Sequence, residues 1–116
     1  MERVIERGDL WWANLGSPRG SESDYRRPVV VVQDNHFNRS AISTVVVVGV
    51  TTNMDLAHAP GNVVYRPRAS GLSRASVINV SQLAKIDRTQ LVEKVGRLPE
   101  SVMRQVEEGL RLVLTL

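Results

Sequence analysis

The chain contains no cysteine. That excludes a disulfide framework and any cysteine-ligated metal. It has no apolar run long enough to span a bilayer. Its first residues, Met1-Glu2-Arg3-Val4-Ile5-Glu6-Arg7-Gly8-Asp9, are too charged for a signal peptide, so a cytoplasmic protein without a membrane segment is expected. Its two histidines, His36 and His58, do not stand at metal-ligand spacing, and no zinc site or other metal is expected. No phosphate-cradling glycine loop opens a helix, and no nucleophilic serine motif or dinucleotide fingerprint is present, so no cofactor is implied. Internal repeats and low-complexity linkers are also missing. Lysine is scarce: Lys85 and Lys94 are the only two. The net charge of +3 therefore rests on arginine, which makes forked contacts with phosphate and stacks on bases. That makes nucleic acid a candidate partner without establishing it.

What is present suits one domain, residues 1–116. A chain of this size buries a core without covalent staples, and a hydrophobic fraction of 42% argues against disorder. Two valine runs carry most of the information. Residues 29–33 and 44–50 are apolar at consecutive positions, the mark of strands covered on both faces. Gly49 in the second is expected to mark a bulge or a close approach. Further strands are expected over 10–15, 62–65, 76–80, 83–86 and 92–95. Residues 16–26 and 51–61 are expected as loops, 34–38 as a turn or single helical turn, and 66–71 as a basic turn. Near the C-terminus, Pro99 and acidic Glu100 suit a helix start. Val102, Val106, Leu110, Val113 and Leu114 then recur at helical spacing, predicting an amphipathic helix packed on the sheet. Five to seven short strands followed by one helix give a mainly β (α+β) chain. A small barrel with a terminal helix is its natural closure, because closing a sheet removes exposed edges.

Each valine run carries a polar group at one end. Arg27 precedes Pro28, which keeps the residue before it extended. Thr51 and Thr52 close the second run, and their hydroxyls can donate to a phosphate oxygen. If the two strands are neighbours, a guanidinium and a hydroxyl meet at the rim of one sheet, an arrangement suited to a phosphodiester. Each residue also has an ordinary explanation: an exposed charge at a strand end, or a β-branched residue chosen for strand propensity. Arg66 and Arg68 flank Pro67 and can track a nucleic-acid backbone. Trp11, Trp12, Tyr25 and Phe37 are candidate stacking surfaces, although core or interface packing accounts better for the tryptophans.

Taken together, Gly8-Asp9-Leu10-Trp11-Trp12, Gly20-Ser21-Glu22, Arg27-Pro28-Val29-Val30-Val31 and Thr51-Thr52 resemble the MazF/PemK family of toxin endoribonucleases. The segment Ser76-Val77-Ile78-Asn79-Val80-Ser81-Gln82-Leu83 with Ile86-Asp87, and the closing helix with Val102, Met103 and Leu110, are similar to it too. The resemblance implies a small SH3-like β-barrel with a C-terminal α-helix, of the CcdB/MazF-like kind. It implies a homodimer that cuts single-stranded RNA at a chosen sequence without metal, and an acidic MazE-like antitoxin that blocks the RNA groove. It places the catalytic pair at Arg27 and Thr51. Ser21, Glu22 and Gln82 fall on positions associated with the RNA-binding surface; Arg26, Thr52, Arg66 and Arg68 are further candidates for RNA contact. Departures at Ser23-Asp24-Tyr25-Arg26 and Gln33-Asp34-Asn35 bear on the target sequence rather than the reaction type. In such a reaction the RNA 2′-hydroxyl attacks the adjacent phosphorus, giving a 2′,3′-cyclic phosphate and a 5′-hydroxyl, which explains why DNA would be spared. Arginine is a poor proton carrier as a residue type, so the general base stays open between a shifted arginine, Glu22 and water. Two other readings share the fold: a CcdB-like gyrase poison and a non-catalytic RNA-binding module.

Overall fold

The structure, a computed structural model, describes residues 3–16, 25–66 and 74–116. Six strands and two helices follow in the order β1 (Asp9–Asn14), β2 (Arg26–Val31), α1 (Asn35–Asn38), β3 (Thr44–Thr51), β4 (Val63–Tyr65), β5 (Ser76–Asp87), β6 (Leu91–Arg97) and α2 (Glu100–Leu114). The strands form one antiparallel sheet in the order β4-β5-β3-β2-β1-β6, curled into a half-barrel with α2 packed against it. The expected small barrel with a terminal helix is thus the architecture found. Pro28 has no N–H to give to a ladder, and it stands where β2 still faces Trp12 of β1 but has already parted from β3.

The consecutive valines work because both faces of the sheet are covered. Val30, Val32, Val48 and Val50 join Leu10, Ile78, Val80, Met103 and Val106 in a core beneath α2. Val29, Val31, Val45 and Val47 point the other way and pack with Ile5, Trp11, Ala13, Ile86 and Leu91. Strand alternation thus sends every second valine into a different core.

Three expectations need correction. The two strands expected over 76–80 and 83–86 are one strand, β5, interrupted by a bulge: Val48 pairs with Leu83, but the next residue, Gly49, pairs with Asn79. Val80, Ser81 and Gln82 bow out between them. Pro99 stands at the N-cap of α2 rather than at its first helical position. The apolar stripe of α2 is only partly used: Met103, Val106 and Gly109 are buried, but Val113 and Leu114 are exposed, as are Leu112 and Leu116. The helix outruns the sheet, so the periodicity continues past the surface it could cover.

Asp9 ties the start of β1 to its surroundings. Its carboxylate is fully buried and accepts the backbone N–H of Glu6 at 2.9 Å and the indole N–H of Trp11 at 3.2 Å. Arg97 lies at 3.3 Å and Lys94 at 3.4 Å. Four donors around one carboxylate offset its loss of water.

Candidate nucleic-acid interface

The register of β2 and β3 builds the site. Val29 pairs with Gly49, Val30 with Val48 and Val31 with Val47. The β2–β3 pairing ends at Val29–Gly49, and Arg27 and Thr51 each lie two residues beyond that pair, at the same end of the two neighbouring strands. Both residues are still in their strands, Arg27 paired with Ala13 of β1 and Thr51 with Val77 of β5. They share the sheet face turned away from α2, because their neighbours Val30, Val48 and Val50 fill the core beneath the helix. The guanidinium and hydroxyl expected from the sequence therefore come to one rim.

Arg27 is exposed. Its Nη1 donates to the Arg26 carbonyl at 3.0 Å, and its guanidinium lies 5.4 Å from the centre of the Tyr25 ring. These contacts hold the cation at the rim while leaving donors over, since a guanidinium carries five. The Thr51 hydroxyl oxygen accepts the Asn53 backbone N–H at 3.1 Å. Its proton remains available to donate.

Beside this pair the sheet opens into a cavity of about 230 Å³, lined mainly by apolar side chains with Gln82 the polar exception. Leu15, Val29, Val47 and Ile86 form its floor and walls, and Gly49 leaves a gap into which Gln82 folds. A Cβ on Gly49 would overlap Gln82 Oε1 and stand 3.4 Å from Gln82 Cβ and Cδ. The close approach expected at Gly49 is therefore real, and its cause is the β5 bulge that brings Gln82 across the strand. The bulge also sets Asn79 directly opposite Gly49. Asn79 is buried, with 7% of its surface exposed, and its side-chain oxygen accepts the Ser81 hydroxyl at 2.8 Å. Sequence reasoning left Asn79 unmarked; the available signal is a lone amide inside the apolar run Val77-Ile78-Asn79-Val80.

Other candidates divide. Arg26 points to the opposite face from Arg27: it pairs with Glu93 at 3.4 Å and lies 5.9 Å from the centre of the Trp12 ring. Thr52 follows the end of β3 and is exposed, but alternation turns it away from Thr51. Arg66 directly follows β4, exposed at the same end of the sheet as Thr51. Ser21, Glu22 and Arg68 lie outside the described residues. Trp11, 4% exposed, belongs to the core and offers no stacking face there, whereas Tyr25 is exposed beside Arg27. His36 lies in the short helix α1, whose N-cap Asp34 accepts its backbone N–H at 2.8 Å, at the opposite end of β2 from Arg27, and His58 is exposed in a 3-10 turn. Among the described residues no hydrogen bond or ion pair joins either histidine to Arg27 or Thr51. Among the described residues no group of three or more His, Asp or Glu side chains is placed to hold a metal.

A family model described as PemK-like, MazF-like toxin of type II toxin-antitoxin system matches residues 6–114. Endoribonuclease MazF6 of Mycobacterium tuberculosis is 42% identical over 113 residues, spanning 97% of this chain and 99% of its own length. Endoribonuclease EndoA of Bacillus subtilis is 34% identical over 113 residues, spanning 97% of each. Among solved structures, the MazE-MazF crystal structure (Form-II) from Deinococcus radiodurans superposes with a TM-score of 0.81 at 24% identity, covering 99% of both chains. The Mycobacterium tuberculosis toxin MazF-mt6 does so with a TM-score of 0.76 at 21% identity, covering 93% of this chain and 97% of its own. At such identities these two speak to the fold.

Proposed function

The chain belongs to the PemK-like, MazF-like toxin family of type II toxin–antitoxin systems, and from that premise we propose that it is an endoribonuclease in which Arg27 and Thr51 act on the scissile phosphate of single-stranded RNA. The observation that supports the assignment of residues is that β2 and β3 are neighbours whose last pair is Val29–Gly49, with Arg27 and Thr51 each two residues beyond it on the same face. The curated relatives are endoribonucleases by name, which favours cleavage over the gyrase-poison and binding-only readings of the same fold.

The reaction follows from the groups present. The 2′-oxygen of the RNA forms a bond to the adjacent phosphorus, and the bond from phosphorus to the 5′-oxygen breaks. The 2′-hydroxyl loses its proton, and the departing 5′-oxygen gains one. Charge grows on the phosphoryl oxygens as the new bond forms, so donors fixed in advance at that position lower the barrier. Arg27 supplies a cation with forked donors, and Thr51 a hydroxyl on the facing strand. Strand geometry, rather than a flexible loop, sets the separation of the two. RNA brings its own nucleophile, so the route does not require a metal. An in-line attack needs a flexible backbone, and bases are read only when unstacked, which accounts for a single-stranded substrate. Gln82, Arg66, Ser21, Glu22 and Arg68 are proposed to contact the flanking nucleotides. Arg26 and Thr52, turned from the pair, would meet RNA only where it wraps past the rim.

We assign two protein partners on the same basis: an acidic antitoxin of the MazE kind, and a second copy of this chain. The exposed apolar end of α2 (Leu112, Val113, Leu114 and Leu116) supports an interface with another protein surface. No helix among the described residues is long and apolar enough to cross a membrane, and the bacterial cytoplasm is where the RNA substrate lies.

The test is incubation of the purified chain with long single-stranded RNA in EDTA, followed by mapping of cut sites and end groups. Discrete cuts with cyclic-phosphate and 5′-hydroxyl ends are expected, lost in Arg27→Ala and strongly reduced in Thr51→Ala. Full activity in Arg27→Ala would refute the mechanism; loss in Thr52→Ala alone would show that the wrong threonine was chosen.

A further inference from the structure

Asn79 is a polar side chain in a place where the sheet has no structural need of one. It lies on β5 between Ile78 and Val80, both fully buried beneath α2, and points to the other face. There it stands opposite Gly49, whose missing side chain leaves the gap described above. On the same face, Thr51 is the next residue but one along β3, and Arg27 is the next but one along β2 from Val29, the partner of Gly49. More than nine-tenths of Asn79 is buried. One end of its amide is fixed by the Ser81 hydroxyl at 2.8 Å. The other end, the NH₂, has no hydrogen-bond partner among the described residues, and it is not sealed from solvent, since no buried side-chain nitrogen or oxygen there is left unpaired. It is open to a ligand that would cover it, and once covered it would need an acceptor.

We propose that Asn79 is a specificity-determining residue: its free amide N–H donates to a carbonyl oxygen of the nucleobase that enters the cavity over Gly49. Three features support a base rather than a phosphate. The cavity is mainly apolar, lined by Leu15, Val29, Val47 and Ile86, which suits a flat neutral ring. Asn79 is neutral, whereas Arg27, the cation proposed for the phosphate, stands on β2, two strands away. The amide is held at one end, and a reader fixed in this way loses little freedom on binding. Uracil and guanine carry carbonyl acceptors that fit a donor; cytosine and adenine present an amino group on the corresponding edge. A site with one buried donor rejects a base that leaves that donor unpaired. The Ser81–Asn79 contact makes Ser81 the positioning residue, oriented through the amide rather than by touching the base itself.

The inference rests on the endoribonuclease reading, and its test separates the two. Cut-site profiles would be mapped for the parent, Asn79→Ala and Asn79→Asp on RNA of randomised sequence. In parallel, binding would be measured on oligonucleotides carrying a 2′-deoxy sugar at the cut site, which cannot be cleaved. The parent is expected to favour a carbonyl-bearing base at one position of the word. Asn79→Ala should lower that preference by about tenfold at that position and leave the others unchanged. Asn79→Asp has the same shape but presents an acceptor instead of a donor, and should move the preference to an amino-bearing base. A uniform loss of rate with the same word in both variants would overturn the proposal. If the parent binds with base preference yet cuts nothing, the endoribonuclease reading fails while the base-reading role stands. If Asn79→Ala does not fold, Asn79→Asp decides: an unchanged base preference there overturns the role of Asn79.

Discussion

Gly49→Ala should separate folding from function, because the nearest group the new methyl meets is one that can move. Gly49 has an ordinary negative φ, so alanine is free to adopt its backbone. The three atoms nearest the added Cβ all belong to Gln82, an exposed side chain: an overlap with Oε1 and contacts at 3.4 Å with Cβ and Cδ. Turning the end of an exposed glutamine costs roughly 0.5–1.5 kcal/mol at most. Replacing glycine within a strand returns roughly 0.5–1 kcal/mol through lost unfolded-state freedom. The two nearly cancel, so the urea midpoint should move by the equivalent of less than about 1 kcal/mol, with an unchanged slope. The cavity, however, loses its gap, and Gln82 swings into the space a nucleobase would take. Cleavage of a short RNA carrying the preferred word should lose about tenfold in kcat/KM, the equivalent of roughly 1.4 kcal/mol. Destabilisation beyond about 3 kcal/mol would show that the contact is not confined to a movable side chain. Unchanged cleavage and an unchanged word would show that the Gly49 gap has no part in reading RNA.

At the other glycines the balance tips the opposite way. Gly109→Ala gains about 1 kcal/mol of helix propensity, yet its Cβ would overlap the Gly61 carbonyl oxygen and stand 3.0 Å from the Gly61 carbonyl carbon. Main chain must move, which costs about 1–3 kcal/mol; a net fall in melting temperature of about 4–8 °C is expected at fixed protein concentration, and a rise would refute the close packing of α2 on this turn. Asp9→Ala strands the Trp11 indole N–H and the Glu6 backbone N–H and should cost about 3 kcal/mol in urea unfolding; a loss below about 1 kcal/mol would mean water replaces the carboxylate. Asp87 accepts the Thr89 backbone N–H at 2.9 Å and then its hydroxyl at 2.8 Å, and these bonds hold its carboxyl below the usual 3.8. A depressed folded value means stability that is present above about pH 3.8 and lost as pH falls through the lower folded value. Asp87→Asn should therefore flatten the fall in melting temperature below about pH 4; an identical fall would assign the acid sensitivity to other carboxylates.

Much of the sheet was legible because burial on both faces leaves a plain mark: consecutive valines at 29–32 and 45–48 admit few structures other than inner strands. Their pairing was legible only as a condition, since nothing local says which strands are neighbours. That β2 and β3 are neighbours, with Arg27 and Thr51 at the same end, comes from the whole order β4-β5-β3-β2-β1-β6. The β5 bulge escaped notice because Ser81-Gln82 between apolar residues reads equally well as a turn joining two strands. Arg26 and Arg27 look equivalent in sequence, and only the pleat separates them, sending one to Glu93 and Trp12 and leaving the other on the open face. In α2 the periodic apolar stripe describes a helix faithfully but carries no information on where the sheet beneath it stops.

The bulge is also what joins these separate facts into a site. If β5 continued the Val48–Leu83 register without bulging, the residue facing Gly49 would be Gln82. With the bulge, Asn79 takes that place and the exposed Gln82 reaches back over Gly49. A regular strand would have presented one polar side chain at this position; the bulge presents two, one buried and fixed, the other exposed and movable. The first cannot adapt and so can discriminate, while the second can adapt and so can close over whatever is bound. Strand alternation then places both on the face of Arg27 and Thr51 and away from the core beneath α2. Substitutions at Asn79 and Gln82 should therefore change which RNA is cut with little effect on the packing of the helix, whereas substitutions at Val30, Val48 or Val106 should do the reverse.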